Sequence, residues 1–234
     1  MGVASGRPGI PEGMTDHGPA GTVVLDIDGT LLDSNYHHVL AWSRAFEQVG
    51  VTVPLWRIHR AIGMGGDRLV GSVAGDEVER EHGDEVRDRW KKEYDGLIDE
   101  TRLLPGAREL LDRLQERGLA VALASSSIPE HAQHAFELLD ADRLADTATT
   151  SEDAEESKPD PGLVEEALSR LEGGSACVVG DSVYDVEAAQ RAGVPAYGVL
   201  TGGYGRAELE DAGAAGVYTD LPELLDHLED WLPT

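Results

Sequence analysis

The sequence predicts an α/β protein in which helices cover both faces of a parallel sheet and an all-helical block is inserted after the first strand. From residue 103 onward, short apolar runs alternate with amphipathic helical stretches, a pattern typical of parallel sheets. Residues 35–102 show helical periodicity without a strand pattern. The chain has 234 residues, of which 41% are hydrophobic, so it can build one large core and a small inserted unit.

These patterns divide the chain into three parts. Residues 1–20 are rich in Gly and Pro, lack apolar periodicity and are predicted to form a disordered tail. Residues 21–34 and 103–234 are predicted to form the sheet-containing core. Residues 35–102 are predicted to form a small helical bundle over the end of the first strand.

The first strand is predicted at Thr22–Ile27, where both faces are apolar, so this strand should be central in the sheet. In the inserted block, one helix is predicted over Asn35–Val49 and another after Pro54. A glycine-rich break at 63–66 precedes a long charged helix whose apolar stripe reaches Leu97.

Strands and helices alternate beyond the inserted block. A helix that starts near Pro105 is expected to end at Gly118. Apolar runs then predict strands at 119–124, 145–150, 176–180 and 194–200, the second of them weakly, with helices between them and a last helix at 221–231.

Composition excludes several classes of partner. The chain has 45 acidic and 19 basic residues, a formal net charge of -26, and such a surface repels nucleic acid and anionic membranes. No apolar run approaches the ~18 residues of a membrane span, and the N-terminus has no secretory signal pattern. The single Cys177 excludes an intramolecular disulfide and indicates a reducing compartment. We therefore predict a cytoplasmic protein that binds neither nucleic acid nor membranes.

Two acids follow the first strand, in the run Asp26-Ile27-Asp28-Gly29-Thr30. Strand alternation would place Asp26 and Asp28 on one side, about 7 Å apart, at the strand end where ligands bind in α/β sheets. A divalent cation such as Mg²⁺, which takes oxygen ligands, would favour the ionised form of both. A calcium-binding loop fits the spacing less well, because its glycine is sixth and here the glycine is fourth. A pair of surface acids at a turn is the other alternative.

Polar groups follow the later strands as well. Ser125 ends the second apolar run, Lys158 precedes a helix, and Asp181 ends another strand with Asp185 in the next helical turn. Taken singly, these residues could be a helix cap, a surface lysine and first-turn acids. Because parallel strands end at one edge of the sheet, we expect them to meet there, with the hydroxyl and lysine suited to phosphate oxygens.

Together, Asp26-Ile27-Asp28-Gly29-Thr30, Ser125, Lys158-Pro159 and the run from Gly180 to Asp185 resemble the motifs of the haloacid dehalogenase superfamily of phosphohydrolases. The resemblance covers the chain from about residue 22 to its end. The inserted block resembles the small helical cap of the phosphoglycolate phosphatase and β-phosphoglucomutase branch. The resemblance implies a Rossmann-like core with a helical cap over the active site.

The resemblance also implies residue roles. Asp26 would attack phosphorus and form an aspartyl phosphate, and Asp28 would protonate the leaving oxygen and then deprotonate water. Ser125 and Lys158 would hold the transferring phosphoryl group. Mg²⁺ would be bound by Asp26, Asp28, Asp181 and Asp185, the second through its main-chain carbonyl. The further substrate-binding residues expected are Gly29, Thr30, Ser126, His37 and Arg68, the last two from the cap.

The predicted function is that of a Mg²⁺-dependent phosphatase that hydrolyses a small phosphorylated metabolite and acts as a monomer or weak homodimer. The acid at Asp28 argues against carbon–halogen chemistry, because the resemblance implies that the dehalogenase branch lacks it. Two alternatives remain open: a β-phosphoglucomutase-like phosphotransferase, and a non-catalytic phosphate-binding regulator. The intact Asp28 and Lys158 argue against the regulator.

Overall fold

The computed structural model describes residues 21–171 and 174–233, and the tail predicted for residues 1–20 lies outside them. The strands of the described residues are β1 (Thr22–Leu25), β2 (Leu32–Asp33), β3 (Arg102–Leu103), β4 (Ala120–Ala124), β5 (Thr147–Thr149), β6 (Ala176–Gly180), β7 (Ala196–Val199) and β8 (Gly216–Tyr218). Strands β2, β3 and β8 were not predicted from the sequence, because segments of two residues, or of three that begin with a glycine, give little strand signal.

Most helices occur where amphipathic periodicity predicts them, with some differences at their ends, whereas the short helices at 141–144 and 206–211 were not predicted. In order, they are α1 (Asn35–Gln48), α2 (Leu55–His59), α3 (Gly66–Ala74), α4 (Asp76–Asp95), α5 (Ala107–Glu116), α6 (Pro129–Leu139), α7 (Ala141–Leu144), α8 (Gly162–Ser169), α9 (Val183–Arg191), α10 (Arg206–Asp211), α11 (Leu221–Asp226) and α12 (Leu228–Trp231). The last predicted helix is therefore two short helices, which meet at His227.

Six strands form one parallel sheet in the order β5-β4-β1-β6-β7-β8. The strand β1 is central, since Val24 is in register with Ala122 of β4 and Val178 of β6. All four residues of β1 are buried, which confirms the expectation from its continuous apolar run. The predicted α/β fold class is confirmed.

Helices cover both faces of the sheet because alternate strand residues face opposite ways. Val23 and Leu25 belong to a cluster that includes Leu111 of α5 and Trp231 of α12. Val24 belongs to a second cluster, on the other face, with residues of α8, α9 and α10. The central strand is thus held between two apolar layers, which fixes the position of the residues that follow it.

The helices α1 to α4 share a hydrophobic cluster of their own, built around Trp42, Phe46, Leu69 and Val86. The short antiparallel ribbon of β2 and β3 lies where the chain enters and leaves this helical block. The division into a core and a cap at residues 35–102 stays a prediction. No helix in the described ranges 21–171 and 174–233 combines the length and apolar character needed to cross a membrane.

Candidate active site

The carboxyl ends of β1, β4 and β6 lie side by side in the parallel sheet, and the predicted polar residues follow these ends. Asp26 comes directly after β1, Ser125 after β4 and Asp181 after β6. Lys158 reaches the same place from the loop before α8. The sheet topology therefore brings together residues that are more than 150 positions apart, since Thr30 donates a hydrogen bond to Asp181 across 151 positions.

Three buried carboxylates form an acidic cluster at this edge. Oxygens of Asp26, Asp181 and Asp185 all lie within 4.8 Å of one another. Burial and the neighbouring carboxylates raise the pKa of Asp26 to about 7, against the opposing charge of Lys158, and raise the pKa of Asp181 well above its usual value. The three carboxylates repel one another when they are ionised, and a hard divalent cation, which prefers oxygen ligands, would remove this repulsion. These residues could therefore hold a divalent metal ion.

Lys158 is the cation of the cluster. Its Nζ donates to Asp26 Oδ1 and lies 2.7 Å from Asp185 Oδ1, with 2% of the residue exposed. Burial alone would lower the pKa of Lys158, but the charges of Asp185 and Asp26 outweigh burial and raise the pKa. The ammonium group is therefore kept charged beside the predicted nucleophile.

Asp185 is also fixed by its own helix. Its Oδ2 accepts hydrogen bonds from the N–H and hydroxyl of Ser182, which forms the N-terminal cap of α9. The other oxygen, Oδ1, is thereby directed to Lys158. Asp185 therefore serves as an acid in the first turn of α9, and it also contacts Lys158 in the predicted site.

Asp28 lies apart from the acidic cluster, and its hydrogen-bond partners are two serine hydroxyls and a histidine ring. Its Oδ1 accepts from the Ser34 hydroxyl at 2.5 Å and lies 3.2 Å from His38 Nε2, and its Oδ2 accepts from Ser127 at 2.9 Å. Burial would raise the pKa of Asp28, but the charge and hydrogen bond of His38 and the two hydroxyls together hold it well below its usual value. The two motif acids are therefore in opposite environments.

The turn after β1 uses Gly29 and Thr30 in a way that differs from the expected phosphate contacts. Their N–H groups donate to the carbonyls of Leu32 and Ile27, so they are not free to bind a phosphate in this arrangement. The Thr30 hydroxyl instead lies 3.2 Å from Asp26 Oδ2 and 3.0 Å from Asp181 Oδ1. The side chain of Thr30 therefore positions the carboxylates of Asp26 and Asp181, and the backbone N–H groups of Gly29 and Thr30 stabilise the turn.

Gly29 is required here by space as well as by conformation. Its φ is +84°, and a Cβ at this position would lie 2.5 Å from Asp181 Oδ2. We expect Gly29→Ala to lower the free energy of unfolding by more than the about 1–2 kcal/mol of a left-handed alanine, and to reduce any metal-dependent activity. Gly50→Ala is the matched control, since Gly50 has φ +77° and no atom within 4 Å of its Cβ position. Urea unfolding of both variants checks this, and equal losses would contradict the steric argument.

The three serines after β4 have different surroundings. Ser125 is buried and its Oγ accepts from the N–H of Ser127, so in this arrangement it stabilises the turn. Ser126 and Ser127 line the cavity beside Asp26 and Asp28, and Ser126 Oγ has no hydrogen-bond partner. The expected phosphate contact of Ser125 and the expected substrate contact of Ser126 stay predictions.

An inner cavity of about 50 Å³ lies between the sheet edge and the helical block. The core side is lined by Asp26, Asp28, Ser126 and Ser127, and the helical side by His38, Trp42, Trp90 and the segment 62–66. This volume suits a phosphoryl-sized group and is well below the about 300 Å³ of pockets that enclose a drug-sized ligand.

The two residues predicted from the helical block are not the ones that line this cavity. His37 was the histidine expected to bind substrate, but it is His38 that contacts Asp28, with its ring 3.9 Å from that of Tyr94. Successive residues on a helix differ by about 100° in direction, so only packing decides which histidine faces the site. Arg68 forms an ion pair with Glu156 and does not line the inner cavity.

Sequence reasoning missed four polar residues with contacts in the site: Ser34, Asn35, His38 and Ser127. Asn35 Nδ2 donates to Asp181 Oδ2 at 3.0 Å, and the contacts of the other three with Asp28 are described above. The signal that could have found Ser34 and Asn35 is their place, directly after the ribbon strand that follows the two acids.

Comparisons with known proteins agree with this geometry. The model of the haloacid dehalogenase-like hydrolase family matches residues 20–193. A phosphoglycolate phosphatase of Cereibacter sphaeroides is 32% identical over 88% of this chain and 98% of its own length. Another, of Rhodobacter capsulatus, is 27% identical over 91% and 98%, respectively. The crystal structure of a hydrolase from Pseudomonas syringae covers 90% of this chain and 98% of its own, with 34% identity and a TM-score of 0.84.

The predicted resemblance to the haloacid dehalogenase superfamily is therefore confirmed. The strand order, the paired acids after the central strand, and the lysine beside them occur in a chain whose relatives are named as phosphatases. The chain is thus an enzyme of the phosphoric monoester hydrolase class, and it belongs to the haloacid dehalogenase-like hydrolase family.

Proposed function

We propose that this protein is a Mg²⁺-dependent phosphatase that hydrolyses a small phosphorylated metabolite through an aspartyl phosphate on Asp26. One observation carries the proposal: a buried lysine and a buried three-carboxylate cluster meet at Asp26. Asp26, Asp181 and Asp185 would hold Mg²⁺ with the main-chain carbonyl of Asp28. The ion would supply charge neutralisation for the phosphoryl oxygens.

Asp26 has the surroundings of a nucleophile. Lys158 and the Thr30 hydroxyl hold its two oxygens, so its orientation is set before substrate binds. A carboxylate oxygen forms a bond to phosphorus while the bond from phosphorus to the leaving oxygen breaks. The Asp26 carboxylate and the phosphoryl group are both negatively charged, and the positive charge of Lys158 reduces the repulsion between them.

Asp28 is proposed as the acid and base for the two halves of the reaction. In the arrangement described here, its low pKa keeps it ionised, which suits the base that deprotonates water. An approaching phosphoryl group is a like charge and raises the pKa of a carboxyl group near it. Its approach therefore favours protonation of Asp28, as transfer of a proton to the leaving oxygen requires.

The test is release of inorganic phosphate from a panel of monoesters, with Mg²⁺ and with EDTA. We expect turnover with Mg²⁺ and loss of at least about 100-fold with EDTA, because the cluster then lacks its counter-ion. Product analysis with a hexose 1-phosphate separates hydrolysis, which releases phosphate, from a mutase reaction, which yields the hexose 6-phosphate. An absence of both products across the panel would contradict the proposal and favour a non-catalytic binder.

We also propose that the chain acts as a monomer or weak homodimer, in the cytoplasm. The surface charge, with 45 acidic residues against 19 basic ones, disfavours self-association at low ionic strength.

A further inference from the structure

We propose that the substrate's leaving group bears hydroxyls and carries no second anionic group. This inference rests on the proposed phosphatase function and extends it to the substrate class. It follows from the charges and unpartnered polar atoms of the space next to the inner cavity.

A second space, here called the outer cleft, continues from the inner cavity and has a volume of about 390 Å³. The two spaces share Gly65, Gly66, Trp90 and Ser126 as lining residues. The outer cleft falls in the size range of small-molecule pockets, about 300–1,000 Å³. With the phosphoryl group beside Asp26, the leaving group would therefore extend past Trp90 and Ser126 into the outer cleft.

The outer cleft is acidic. Five carboxylates line it, and these are Asp67, Asp88, Glu130, Glu152 and Glu155. A second anion on the substrate would meet this field at short range, in addition to the net charge of -26 of the whole chain.

Cations that could receive such an anion are already paired. Among the described residues that line the two spaces, the basic side chains are His38, Arg87 and Lys91. Arg87 lies 2.8 Å from Glu79 and 2.9 Å from Asp84, and Lys91 lies 3.0 Å from Glu130. His38 contacts Asp28. A carboxylate bound here would therefore compete with the acids that already neutralise these cations.

The junction of the two spaces offers neutral polar groups instead. Trp90 Nε1 and Ser126 Oγ are buried and have no hydrogen-bond partner. A buried polar atom without a partner is unfavourable, so a ligand that supplies one gains affinity. An N–H and a hydroxyl together can donate to and accept from a substrate hydroxyl.

The experiment compares two esters that differ only at one carbon. Glycerol 3-phosphate has a CH₂OH group where 3-phosphoglycerate has a carboxylate, and p-nitrophenyl phosphate serves as a reporter of basic phosphatase activity. We expect kcat/KM for glycerol 3-phosphate to exceed that for 3-phosphoglycerate by at least about tenfold, with a smaller ratio at 0.5 M salt. A ratio of one or less, with p-nitrophenyl phosphate hydrolysed, would overturn this inference alone. No release from any of the three esters would overturn it together with the proposed function.

Charge variants test the physical cause. Glu152 and Glu155 are exposed residues of the outer cleft, so the double variant Glu152→Gln/Glu155→Gln should fold normally. We expect it to reduce the glycerol 3-phosphate to 3-phosphoglycerate ratio by about threefold or more. The control, Glu165→Gln/Glu210→Gln, removes the same charge from exposed positions that do not line the cleft, and should leave the ratio unchanged. Equal ratios in both double variants would overturn the electrostatic explanation.

Ser126→Ala tests the junction. Loss of one hydrogen bond to a substrate hydroxyl is worth about fivefold. The fall in kcat/KM for glycerol 3-phosphate should therefore exceed the fall for p-nitrophenyl phosphate, whose leaving group lacks a hydroxyl, by about this factor. Equal falls for the two esters would show that Ser126 acts on the phosphoryl group and would overturn its assignment to the leaving group.

Discussion

Asp26→Asn is expected to lower kcat by at least about 1,000-fold while the protein stays folded. The amide has the shape of the carboxylate but cannot form the aspartyl phosphate, so the first chemical step is lost. Release of phosphate from p-nitrophenyl phosphate with Mg²⁺ measures this. Asp33→Asn is the matched control, because Asp33 is exposed on β2 and lies outside the cavity lining, and its kcat should change less than twofold.

The stability of the same variant gives a second, independent result. Burial is the main cause that raises the pKa of Asp26 to about 7, above its ordinary 3.8. The folded state therefore holds the proton more tightly than the unfolded chain, and ionised Asp26 costs stability as pH rises from about 4 to 7. At pH 8 without metal, Asp26→Asn should be at least as stable as the parent protein. A variant that is inactive and also clearly less stable would indicate misfolding instead of loss of the nucleophile.

Lys158→Met is expected to have the largest effect on stability. The variant leaves buried carboxylates of Asp26 and Asp185 without their cation, and breaking a buried ion pair by removing one partner costs about 3–5 kcal/mol. Activity should fall by at least about 100-fold, because the same ammonium group would stabilise the transferring phosphoryl group. Urea unfolding with and without Mg²⁺ measures the loss, and Mg²⁺ should restore part of it by supplying positive charge to the same oxygens.

The control for this variant is Lys92→Met, on the exposed face of α4. A surface substitution of this kind should change the free energy of unfolding by less than about 0.5 kcal/mol. If Lys158→Met unfolded at the same urea concentration as Lys92→Met, the ion pairs of Lys158 would not contribute to stability. The proposed electrostatic design of the site would then be wrong.

The positions of strand-end residues could be predicted because they depend on topology. Alternating strands and helices imply a parallel sheet, and all strands of such a sheet end at the same edge. The sequence therefore predicts that Asp26, Asp181 and Lys158 lie close together, and they do. The strand β8, with only three residues, was below the threshold of a recognisable apolar run.

Residues whose direction depends on packing could not be predicted in the same way. His37 and His38 are neighbours on α1, and the stacking of His38 on Tyr94 and its contact with Asp28 select the second. Arg68 has a carboxylate partner, Glu156, that is 88 positions away in the sequence. No local pattern in the sequence contains either contact.

By itself, the sequence determined the α/β class, the central position of β1 and the identity of the acidic and basic groups at the strand ends, because hydrophobic periodicity and motif spacing act over a few residues. Only the tertiary structure decided which side chains face the cavity, that the Gly29 and Thr30 amides are used within their turn, and that the cations of the outer cleft are paired. These features depend on distances of a few ångströms between segments far apart in the chain, which packing of the helical block against the sheet edge sets.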